Sequence, residues 1–475
     1  QFIKDVGLGY LNLNRKANTL SGGESQRINL VTSLGSALVG SMYILDEPSI
    51  GLHSRDNERL IMVLKRLRDI GNTVIVVEHD EEIMNAADKI IDMGPKAGSY
   101  GGEIVAEGSL DTICQSESLT AKYLRNEISI PIPSRRKTSR YKISLKGSRE
   151  NNLKNIDVSF PLGCFTGVTG VSGSGKSTLV KKILYPALKR EMGLVNNKPG
   201  QFDSINAPFE KINSVELVDQ NPIGRSSRSN PVTYIKAYDE IRNLFAKQAL
   251  AITRGYQAKH FSFNVDGGRC DHCKGDGSKT IEMQFMADVV LQCEDCNGKR
   301  FKKEILEVEF GGISIDKLLE MSVDDAIDFF MNENQTKMVK KLKPLQEVGL
   351  GYVALGQPST TLSGGEAQRI KLASFLGIGT TQDKIVFIFD EPTTGLHFHD
   401  IKKLLLSLNA LIDKNHTVIV VEHNLDLIKC ADHLIDLGPE GGKNGGSLLA
   451  MGTPEEVASV KNSFTGQYLS QKLKV

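Results

Sequence analysis

Unbroken apolar runs that end in an acidic residue recur along the chain. SMYILDEP begins at Ser41 and KIVFIFDEP at Lys384, and each is followed by a second apolar run, which ends in VIVVEH. Such runs are typical of strands that are buried on both faces of a parallel sheet. Between them, stretches such as RDNERLIMVLKRLRD from Arg55 place apolar residues three to four positions apart, which predicts amphipathic helices. The alternation predicts an α/β fold with its chemistry at the carboxyl ends of the strands.

A set of motifs occurs twice, in the same order. The paired segments begin at Val6 and Val348 (VGLGY), Thr19 and Thr361 (TLSGGE), Asp46 and Asp390 (DEP), and Val74 and Val418 (VIVVEH). The first pair is offset by 342 residues and the last two pairs by 344. A long repeat with so few gaps predicts a duplicated domain rather than a solenoid of short units.

The repeat defines the predicted domain organisation. At ~150 residues per domain, a chain of 475 residues suggests about three domains. The predicted segments are the C-terminal part of a first α/β domain (1–130), a basic, proline-containing linker (131–142), a second α/β domain in two parts (143–215 and 346–475) and an insertion between those parts (216–345). Because the chain begins at Gln1, directly inside a motif-rich region, we expect it to be the C-terminal part of a longer protein.

Composition narrows the class of protein. The longest apolar runs fall far short of the ~20 residues that cross a bilayer, and the chain shows no signal peptide, so we expect a cytoplasmic protein with no membrane partner. The net charge is +1. Any nucleic-acid surface must therefore come from local clusters of basic residues.

One segment, GVSGSGKS from Gly170, matches the complete phosphate-binding pattern G-x-x-x-x-G-K-[ST]. It lies between the apolar CFTGVT and the helical pattern TLVKKILYPAL, and its glycines allow backbone N–H groups to face phosphate oxygens. The predicted ATP-binding residues of this loop are Gly170, Val171, Ser172, Gly173, Ser174, Gly175, Lys176, Ser177 and Thr178. Lys176 is expected to reach the β- and γ-phosphates, and the Ser177 hydroxyl to bind Mg²⁺.

Polar residues at the ends of the predicted strands complete this site. Asp390 is expected to hold Mg²⁺, and Glu391 is placed to polarise the attacking water. His423 closes the following strand and is expected to contact the γ-phosphate, a role that the matching His79 of the first repeat favours. Gln220, in ELVDQNPIGR, is a candidate sensor of the metal and the water.

The segment LSGGE opens a predicted helix in each repeat, and helix N-termini favour anionic phosphate. Together with the phosphate loop and DEP, it resembles the ATP-binding cassette (ABC) ATPases. The resemblance implies that a signature closes over the phosphate loop of a partner domain, not its own. We therefore expect one composite ATP site, in which the second repeat's loop is joined by Ser21, Gly22, Gly23 and Glu24 of the first repeat.

A second set of site residues has no phosphate loop in this sequence. It consists of Asp46, Glu47 and His79 of the first repeat with the signature at Ser363 of the second. We expect the missing loop to lie upstream of Gln1. A complete reading frame without such a loop would refute this hypothesis.

Four of the seven cysteines form the pattern C-x2-C-x19-C-x2-C. The predicted ligands are Cys270, Cys273, Cys293 and Cys296. Each pair lies in a glycine-containing turn, and four thiolates at this spacing fit a closed, tetrahedral Zn²⁺ site. An iron–sulfur cluster or redox thiols are the alternatives.

Basic residues in 216–345 are interleaved with aromatic ones such as Tyr234, Phe261, Phe263 and Phe301. This combination suits the backbone and bases of a nucleic acid. On composition alone, a solvated surface is the better supported interpretation.

The segments VDQNPIGRSSRSNP, GGRCDHCKGDG and DEPTTGLH together resemble the UvrA family, the damage-recognition ATPases of bacterial nucleotide excision repair. The resemblance covers essentially the whole chain, which corresponds to the C-terminal half or slightly more of a family member. It implies an ABC ATPase fold with two nucleotide-binding domains, the first truncated, and an inserted zinc domain that contacts DNA. It also implies a homodimer that binds damaged double-stranded DNA, hydrolyses ATP and loads UvrB.

The same resemblance places Arg225, Arg228 and Ser229 in the DNA-facing domain. The family's UvrB-docking region and first phosphate loop are not in this sequence. We therefore expect the chain to bind UvrB weakly and to hydrolyse ATP at one site at most.

Three alternatives remain open. A UvrA-like paralogue that serves drug self-resistance shares the cassette and zinc motifs, and would show no preference for a bulky adduct in DNA. The ATPase subunit of a membrane transporter would co-purify with a permease. A non-catalytic, zinc-dependent DNA-binding scaffold would show no ATP turnover that depends on Glu391.

Overall fold

The computed structural model describes residues 2–16, 22–35, 39–194, 197–224, 226, 228–283, 289–377 and 383–473. The chain forms two compact units: unit 1 comprises Gln1–Asp219 with Thr380–Val475, and unit 2 comprises Gln220–Gly379. Among the described helices, none is both long and apolar enough to cross a membrane.

The strands of the described residues alternate with helices through most of unit 1. In chain order the strands are β1 (Met42–Asp46), β2 (Thr73–Val77), β3 (Ile90–Gly94), β4 (Glu103–Gly108), β5 (Lys142–Ser148), β6 (Ile156–Pro161), β7 (Phe165–Gly170), β8 (Ser204–Asn206), β9 (Ser214–Val218), β10 (Ser278–Ile281), β11 (Val289–Gln292), β12 (Glu309–Phe310), β13 (Ile313–Ser314), β14 (Ile385–Asp390), β15 (Thr417–Val421), β16 (His433–Gly438) and β17 (Ser447–Gly452).

The helices are mostly short, and the longest follow the DEP motifs. In chain order they are α1 (Phe2–Asp5), α2 (Gly22–Gly35), α3 (Ser54–Asp69), α4 (Glu81–Ala86), α5 (Leu110–Cys114), α6 (Leu119–Leu124), α7 (Tyr185–Glu191), α8 (Pro231–Tyr234), α9 (Tyr238–Ala246), α10 (Ala249–Thr253), α11 (Lys303–Leu306), α12 (Ile315–Glu320), α13 (Val323–Asn332), α14 (Thr336–Glu347), α15 (Gly364–Leu376), α16 (Phe398–Asp413), α17 (Leu425–Ile428), α18 (Pro454–Ala458) and α19 (Phe464–Lys472). A π-helical segment, Thr178–Leu184, precedes α7.

The second repeat is built on a six-stranded sheet in the order β17-β16-β7-β15-β14-β9. All neighbouring pairs are parallel except the edge pair β16–β17. A second, antiparallel sheet, β6-β5-β8, contributes to the same apolar core, which includes Ile143, Phe160, Val168 and Ile183. The predicted α/β fold and the predicted strands are therefore confirmed, and the helix predicted from Arg55 is α3.

The first repeat has the same order of elements but less cover. β1 and β2 form a parallel pair, β3 and β4 an antiparallel pair, and α3 packs its apolar side on a smaller core. The expectation that these strands are buried on both faces is wrong, because Ile44 and Val77 are 68% and 50% exposed. In the described residues, only one face of β1 and β2 is covered by packed side chains.

Unit 2 combines short helices with a β10–β11 hairpin beside the cysteine pairs. Its helices α13, α14 and α15 pack in succession, so the second signature helix belongs to this unit. The aromatic residues Phe261, Phe263 and Phe301 are fully buried. They form the core of unit 2 rather than a stacking surface for nucleic acid, and the expectation based on their alternation with basic residues is wrong for these three.

Candidate functional site

The phosphate loop joins β7 to the π-helical segment at Thr178. At Gly170, φ is 129°, and a side chain would collide with the carbonyl of Leu437, so only glycine fits. Lys176 is buried inside the loop, where its Nζ donates to the carbonyl oxygens of Gly170 (2.9 Å) and Val171 (3.0 Å). Burial lowers the pKa of Lys176 to about 8, although the negative charges of nearby carboxylates act to raise it. The ammonium group of Lys176 therefore lies inside the loop, where it is available to bind an anion.

The remaining loop residues surround this lysine. Val171 and Ser174 are buried, whereas Ser177 is exposed at the start of the helical segment, where a metal ion could reach its hydroxyl. Asn152, which sequence analysis missed, donates from Nδ2 to the carbonyl of Gly173 at 3.0 Å. Its amide fixes the loop from outside, and no recognisable motif marked it.

Two acids lie at the carboxyl end of β14, which pairs with β15 and β9. Asp390 ends the strand and forms an ion pair with Lys181, one turn into the helical segment. Glu391 comes next, with φ of 48°, a left-handed conformation that is rare for residues other than glycine. Burial, reinforced by the charges of Asp390 and Glu422, raises the pKa of Glu391 to about 7. A carboxyl group with that pKa is suited to accept a proton near neutral pH.

Glu422 organises the turn after β15, and sequence analysis missed it. Its carboxylate accepts hydrogen bonds from the backbone N–H and hydroxyl of Thr393, and from the N–H groups of His423 (2.6 Å) and Asn424 (2.9 Å). The recurrence of VIVVEH in both repeats was the signal that could have identified it. It ties the segment after Glu391 to the turn that follows β15.

His423 is buried in this site. Burial and the charge of Lys176 lower its pKa well below the ordinary value, so the imidazole is neutral at neutral pH. In the part of the chain that the structure describes, its Nδ1 has no hydrogen-bond partner. A buried, unsatisfied ring nitrogen beside a phosphate loop suits a ligand that supplies the missing hydrogen bond.

The first repeat reaches this site through the segment that follows its DEP motif. The hydroxyl of Ser172 donates to the Gly51 carbonyl (3.3 Å), and the Ser172 N–H to Asp56 (3.4 Å). A methyl group added at Gly51 would come within 3.0 Å of the Glu391 carboxylate. The first repeat therefore contacts both the phosphate loop and the predicted water-polarising glutamate of the second.

The first signature helix approaches the same loop through a tyrosine. Gly22 and Gly23 open α2, and the Glu24 carboxylate accepts a hydrogen bond from the Tyr10 hydroxyl at 2.7 Å. The Tyr10 ring lies against the phosphate loop, because a methyl group added at Gly173 would be 2.7 Å from it. Ser21 lies outside the described residues, so its predicted place over Lys176 stays a prediction.

The matching residues of the other set have the same local arrangement. Glu47 has φ of 45°, and its carboxylate lies 3.5 Å from His79 Nε2. A methyl group added at Gly395 would be 3.1 Å from Glu47, which mirrors the contact between Gly51 and Glu391. Asp46 ends β1 opposite Val77, as Asp390 ends β14 opposite Val421.

Gln220 and the second signature lie in unit 2. A methyl group added at Gly364, the first residue of α15, would be 3.1 Å from Gln220 Cβ, so Gln220 lies beside the signature helix of its own repeat. Ser363 caps that helix in a reciprocal hydrogen-bond pair with Glu366. The role of Gln220 toward metal and water remains a prediction.

The four predicted metal ligands come together in unit 2. The sulfurs of Cys270, Cys273, Cys293 and Cys296 lie within 4.8 Å of one another and are buried. The Cys273–Cys296 and Cys270–Cys293 sulfur pairs are 3.6 and 4.0 Å apart. Zn–S bonds of ~2.3 Å in a tetrahedron give sulfur separations of roughly 3.8 Å, so the donor set fits Zn²⁺. The backbone N–H of Gly277 donates to Cys273 Sγ at 3.2 Å and orients this sulfur.

The predicted DNA-facing residues are partly described. Arg225 lies outside the described residues. Arg228 donates from Nε to Asp276 at 3.0 Å, and the carbonyl of Ser229 accepts from the N–H of Ser359 at 2.7 Å. Both contacts hold the segment within unit 2, beside the first cysteine pair, and contact with DNA stays a prediction.

Comparison with known proteins gives the class of this chain. The ABC transporter family profile matches residues 153–394, and the chain belongs to that family. Over its whole length it is similar to UvrABC system protein A: it is 56% identical to the Clostridium acetobutylicum protein, with 100% of this chain and 50% of the relative covered. The Thermus thermophilus protein is also 56% identical, with 99% and 49% covered.

A solved structure supports the same relationship. The crystal structure of UvrA2 from Deinococcus radiodurans matches with a TM-score of 0.93 at 45% identity, covering 99% of this chain and 57% of that one. The predicted resemblance to UvrA is therefore confirmed. The chain spans about half the length of the curated relatives that it matches.

Proposed function

We propose that this chain is the ATP-hydrolysing and zinc-binding part of a UvrA-type, damage-sensing ATPase of nucleotide excision repair. The observation that carries the proposal is the contact of the Gly51 segment with Ser172 and Glu391. It joins two repeats at one phosphate loop, as a composite ABC site requires. The likeness to UvrABC system protein A over the whole chain supports the assignment to repair.

In the proposed site, the loop residues from Gly170 to Thr178 bind ATP, with Lys176 on the β- and γ-phosphates. Ser177 and Asp390 hold Mg²⁺, which neutralises phosphate charge. Glu391 orients the attacking water and receives its proton, and the neutral His423 donates a hydrogen bond to the γ-phosphate. Burial of Glu391 among other carboxylates explains why it can take a proton at neutral pH.

The ATPase is tested with purified chain, Mg²⁺ and ATP. We expect phosphate release that Lys176→Ala abolishes by weakening ATP binding, because it removes the one side-chain cation within the loop. A Lys182→Ala variant, altered on the outer side of the same helical segment, serves as the control for loss of a lysine. Turnover that survives Lys176→Ala would overturn the assignment of this site.

The proposed ligand is damaged duplex DNA, which a homodimer binds through unit 2. UvrB is the proposed partner in a later step. Recognition of many lesions fits phosphate contacts and duplex deformability rather than base-edge hydrogen bonds. Fluorescence anisotropy with a duplex that carries one bulky adduct, against the same duplex intact, is the test. We expect tighter binding of the adduct, and equal affinities would favour a paralogue with another role.

The zinc assignment has its own experiment. We expect one zinc per chain by metal analysis, and its loss in Cys273→Ser, since three thiolates no longer close the tetrahedron. Cys430→Ser is the matched control, because Cys430 is also buried but belongs to unit 1 and is not one of the four clustered cysteines. Iron in place of zinc would overturn the assignment.

A bacterial repair ATPase of this kind would act in the cytoplasm, where its DNA lies.

A further inference from the structure

A histidine follows each DEP motif, and its ring makes two hydrogen bonds; His53 is buried and His397 is partly buried. His53 Nδ1 accepts from the N–H of Arg55 at 3.2 Å, and its Nε2 lies 3.2 Å from the hydroxyl of Thr465. That hydroxyl donates its only proton to Asp436 at 2.8 Å. The threonine oxygen must therefore accept from Nε2–H, so His53 is the neutral Nε2–H tautomer in a directional chain from His53 through Thr465 to Asp436.

The same chain occurs a second time with the repeats exchanged. His397 Nδ1 accepts from the N–H of His399, and its Nε2 lies 3.3 Å from the hydroxyl of Thr120, which donates to Asp92 at 2.9 Å. In the first chain the histidine belongs to the first repeat and its partners to the second. In the second chain the assignment is reversed, so the two chains cross between the repeats.

The first chain, His53–Thr465–Asp436, ends close to the predicted ATP site. Asp436 also accepts the hydroxyl of Thr169, which directly precedes the phosphate loop, at 2.8 Å. At the other end, His53 is two residues beyond Gly51, the residue that lies against Glu391. His53 itself is edge-on to His423, with ring centroids 6.0 Å apart. The chain therefore links the base of the phosphate loop to the segment that contacts the water-polarising glutamate.

We propose that the His53–Thr465–Asp436 chain and its counterpart, His397–Thr120–Asp92, are positioning devices. The first holds the segment that contains Gly51 against Glu391 of the second repeat. The second holds the segment that contains Gly395 against Glu47 of the first repeat. The proposal rests on the proposed ATPase function and adds a physical route by which the two sites depend on each other. His53 does not touch the reacting atoms in this arrangement. It fixes the Gly51 segment, and through it the position of Glu391.

The two ring nitrogens of His53 can be tested separately, because it also caps α3 through Nδ1. His53→Asn keeps an acceptor for the Arg55 N–H but loses the donor to Thr465. His53→Gln keeps a donor at the distance of Nε2 but loses the cap. We expect His53→Asn to retain its Tm within a few degrees and to lose kcat by about 10- to 100-fold, with KM for ATP changed by less than about threefold.

The conservative variant gives the opposite pattern. We expect His53→Gln to lower Tm more than His53→Asn does, and to keep kcat within about threefold of the unaltered chain. Thr465→Val should reproduce the His53→Asn defect, and combining the two should add little, as for partners in one chain. A kcat that follows Tm across the variants, with His53→Gln the poorer enzyme, would overturn the proposal and leave a purely structural histidine.

Hydrogen exchange separates failure of this proposal from failure of the proposed function. Amides of the segment 49–53 should exchange faster in His53→Asn and Thr465→Val than in His53→Gln, whether or not ATP is hydrolysed. If the unaltered chain shows no turnover but this exchange pattern holds, the positioning role stands and the ATPase assignment falls. Equal exchange in all variants would refute the positioning role itself.

Discussion

The two repeats present similar apolar strand sequences in different surroundings. Ile388 of β14 is completely buried, whereas its counterpart Ile44 of β1 is 68% exposed. β14 lies between β15 and β9 in a six-stranded sheet, but in the described residues β1 pairs with β2 alone. A run of apolar residues thus encodes a strand locally, while its neighbours decide how much of it is buried.

The turns after these strands are nevertheless alike. Glu47 and Glu391 share a positive φ, of 45° and 48°. Glu78 and Glu422 each accept the N–H groups of the two residues that follow them. The geometry of these turns is therefore set by local sequence, and the two repeats differ in what surrounds the turns.

The largest expected contrast concerns the glutamates of the two DEP motifs. Glu391 belongs to the same repeat as the phosphate loop at Gly170, whereas Glu47 belongs to the other repeat. Glu391→Gln should therefore lower kcat for ATP by about 10²–10⁴-fold, the usual contribution of a general base. Nucleotide binding should remain. Phosphate release and binding of a fluorescent ATP analogue are the measurements.

Glu47→Gln is the matched control for this comparison. Glu47 lies against Gly395 rather than against the phosphate loop, and we expect less than a tenfold loss of kcat. Equal losses in the two variants would show that the repeats are functionally symmetric in this chain, and an unaffected Glu391→Gln would remove the base from the mechanism.

The second contrast measures burial directly. Ile388→Ala should cost about 2–5 kcal/mol of unfolding free energy, because it opens a cavity in a packed sheet. Ile44→Ala should stay within about 0.5 kcal/mol, as for most surface positions. Denaturant unfolding of both variants is the measurement. A cost for Ile44→Ala near that of Ile388→Ala would mean that the face of β1 is covered in solution.

Local patterns explain what sequence analysis could predict. The phosphate loop, the strands and the cysteine cluster are each written in a few consecutive or closely spaced residues. The contact of His53 with Thr465 joins residues 412 positions apart, and that of Tyr10 with Gly173 joins different repeats. Such contacts depend on how the repeats pack, which no local pattern records.

The burial of the aromatics in unit 2 illustrates the same limit. Phe263 stands among basic residues in the sequence, which is equally compatible with a nucleic-acid surface and with a small core. In the structure it stacks on Tyr238, with ring centroids 4.9 Å apart. Alternation of basic and aromatic residues over short helices and turns carries no regular period, so it could not show which side chains face inward.

The pH dependence of turnover is the third contrast. Since burial raises the pKa of Glu391 to about 7, ATP turnover should rise with pH through this value as the carboxyl group becomes a competent base. The folded chain keeps this proton to a higher pH than the unfolded chain, so ionisation of Glu391 favours unfolding. Its contribution to stability should fall as pH rises from about 4.5 through 7.

Glu391→Gln supplies the control for the stability arm. The variant should lose that part of the pH dependence of unfolding between pH 5 and 8, whereas Glu47→Gln should keep it. A turnover profile that is flat between pH 6 and 8 would show that Glu391 is already ionised in the nucleotide-bound state.

The smallest expected effect is a difference between the histidines that follow β2 and β15. The hydrogen bond to Glu47 raises the pKa of His79, whereas burial and Lys176 lower that of His423. In NMR titrations, His79 should therefore be largely protonated at pH 6 while His423 stays neutral.

The interaction of His79 with Glu47 should add little stability, because the His79 side chain is 37% exposed. That contribution is present below the unfolded pKa of about 6.5 and is lost as pH rises through the pKa of the folded chain. Glu47→Gln should lower the pKa of His79 and leave His423 unmoved. A pKa of His423 above that of His79 would contradict this prediction. Because the two turns share their backbone geometry, it would show that they differ in more than their surroundings.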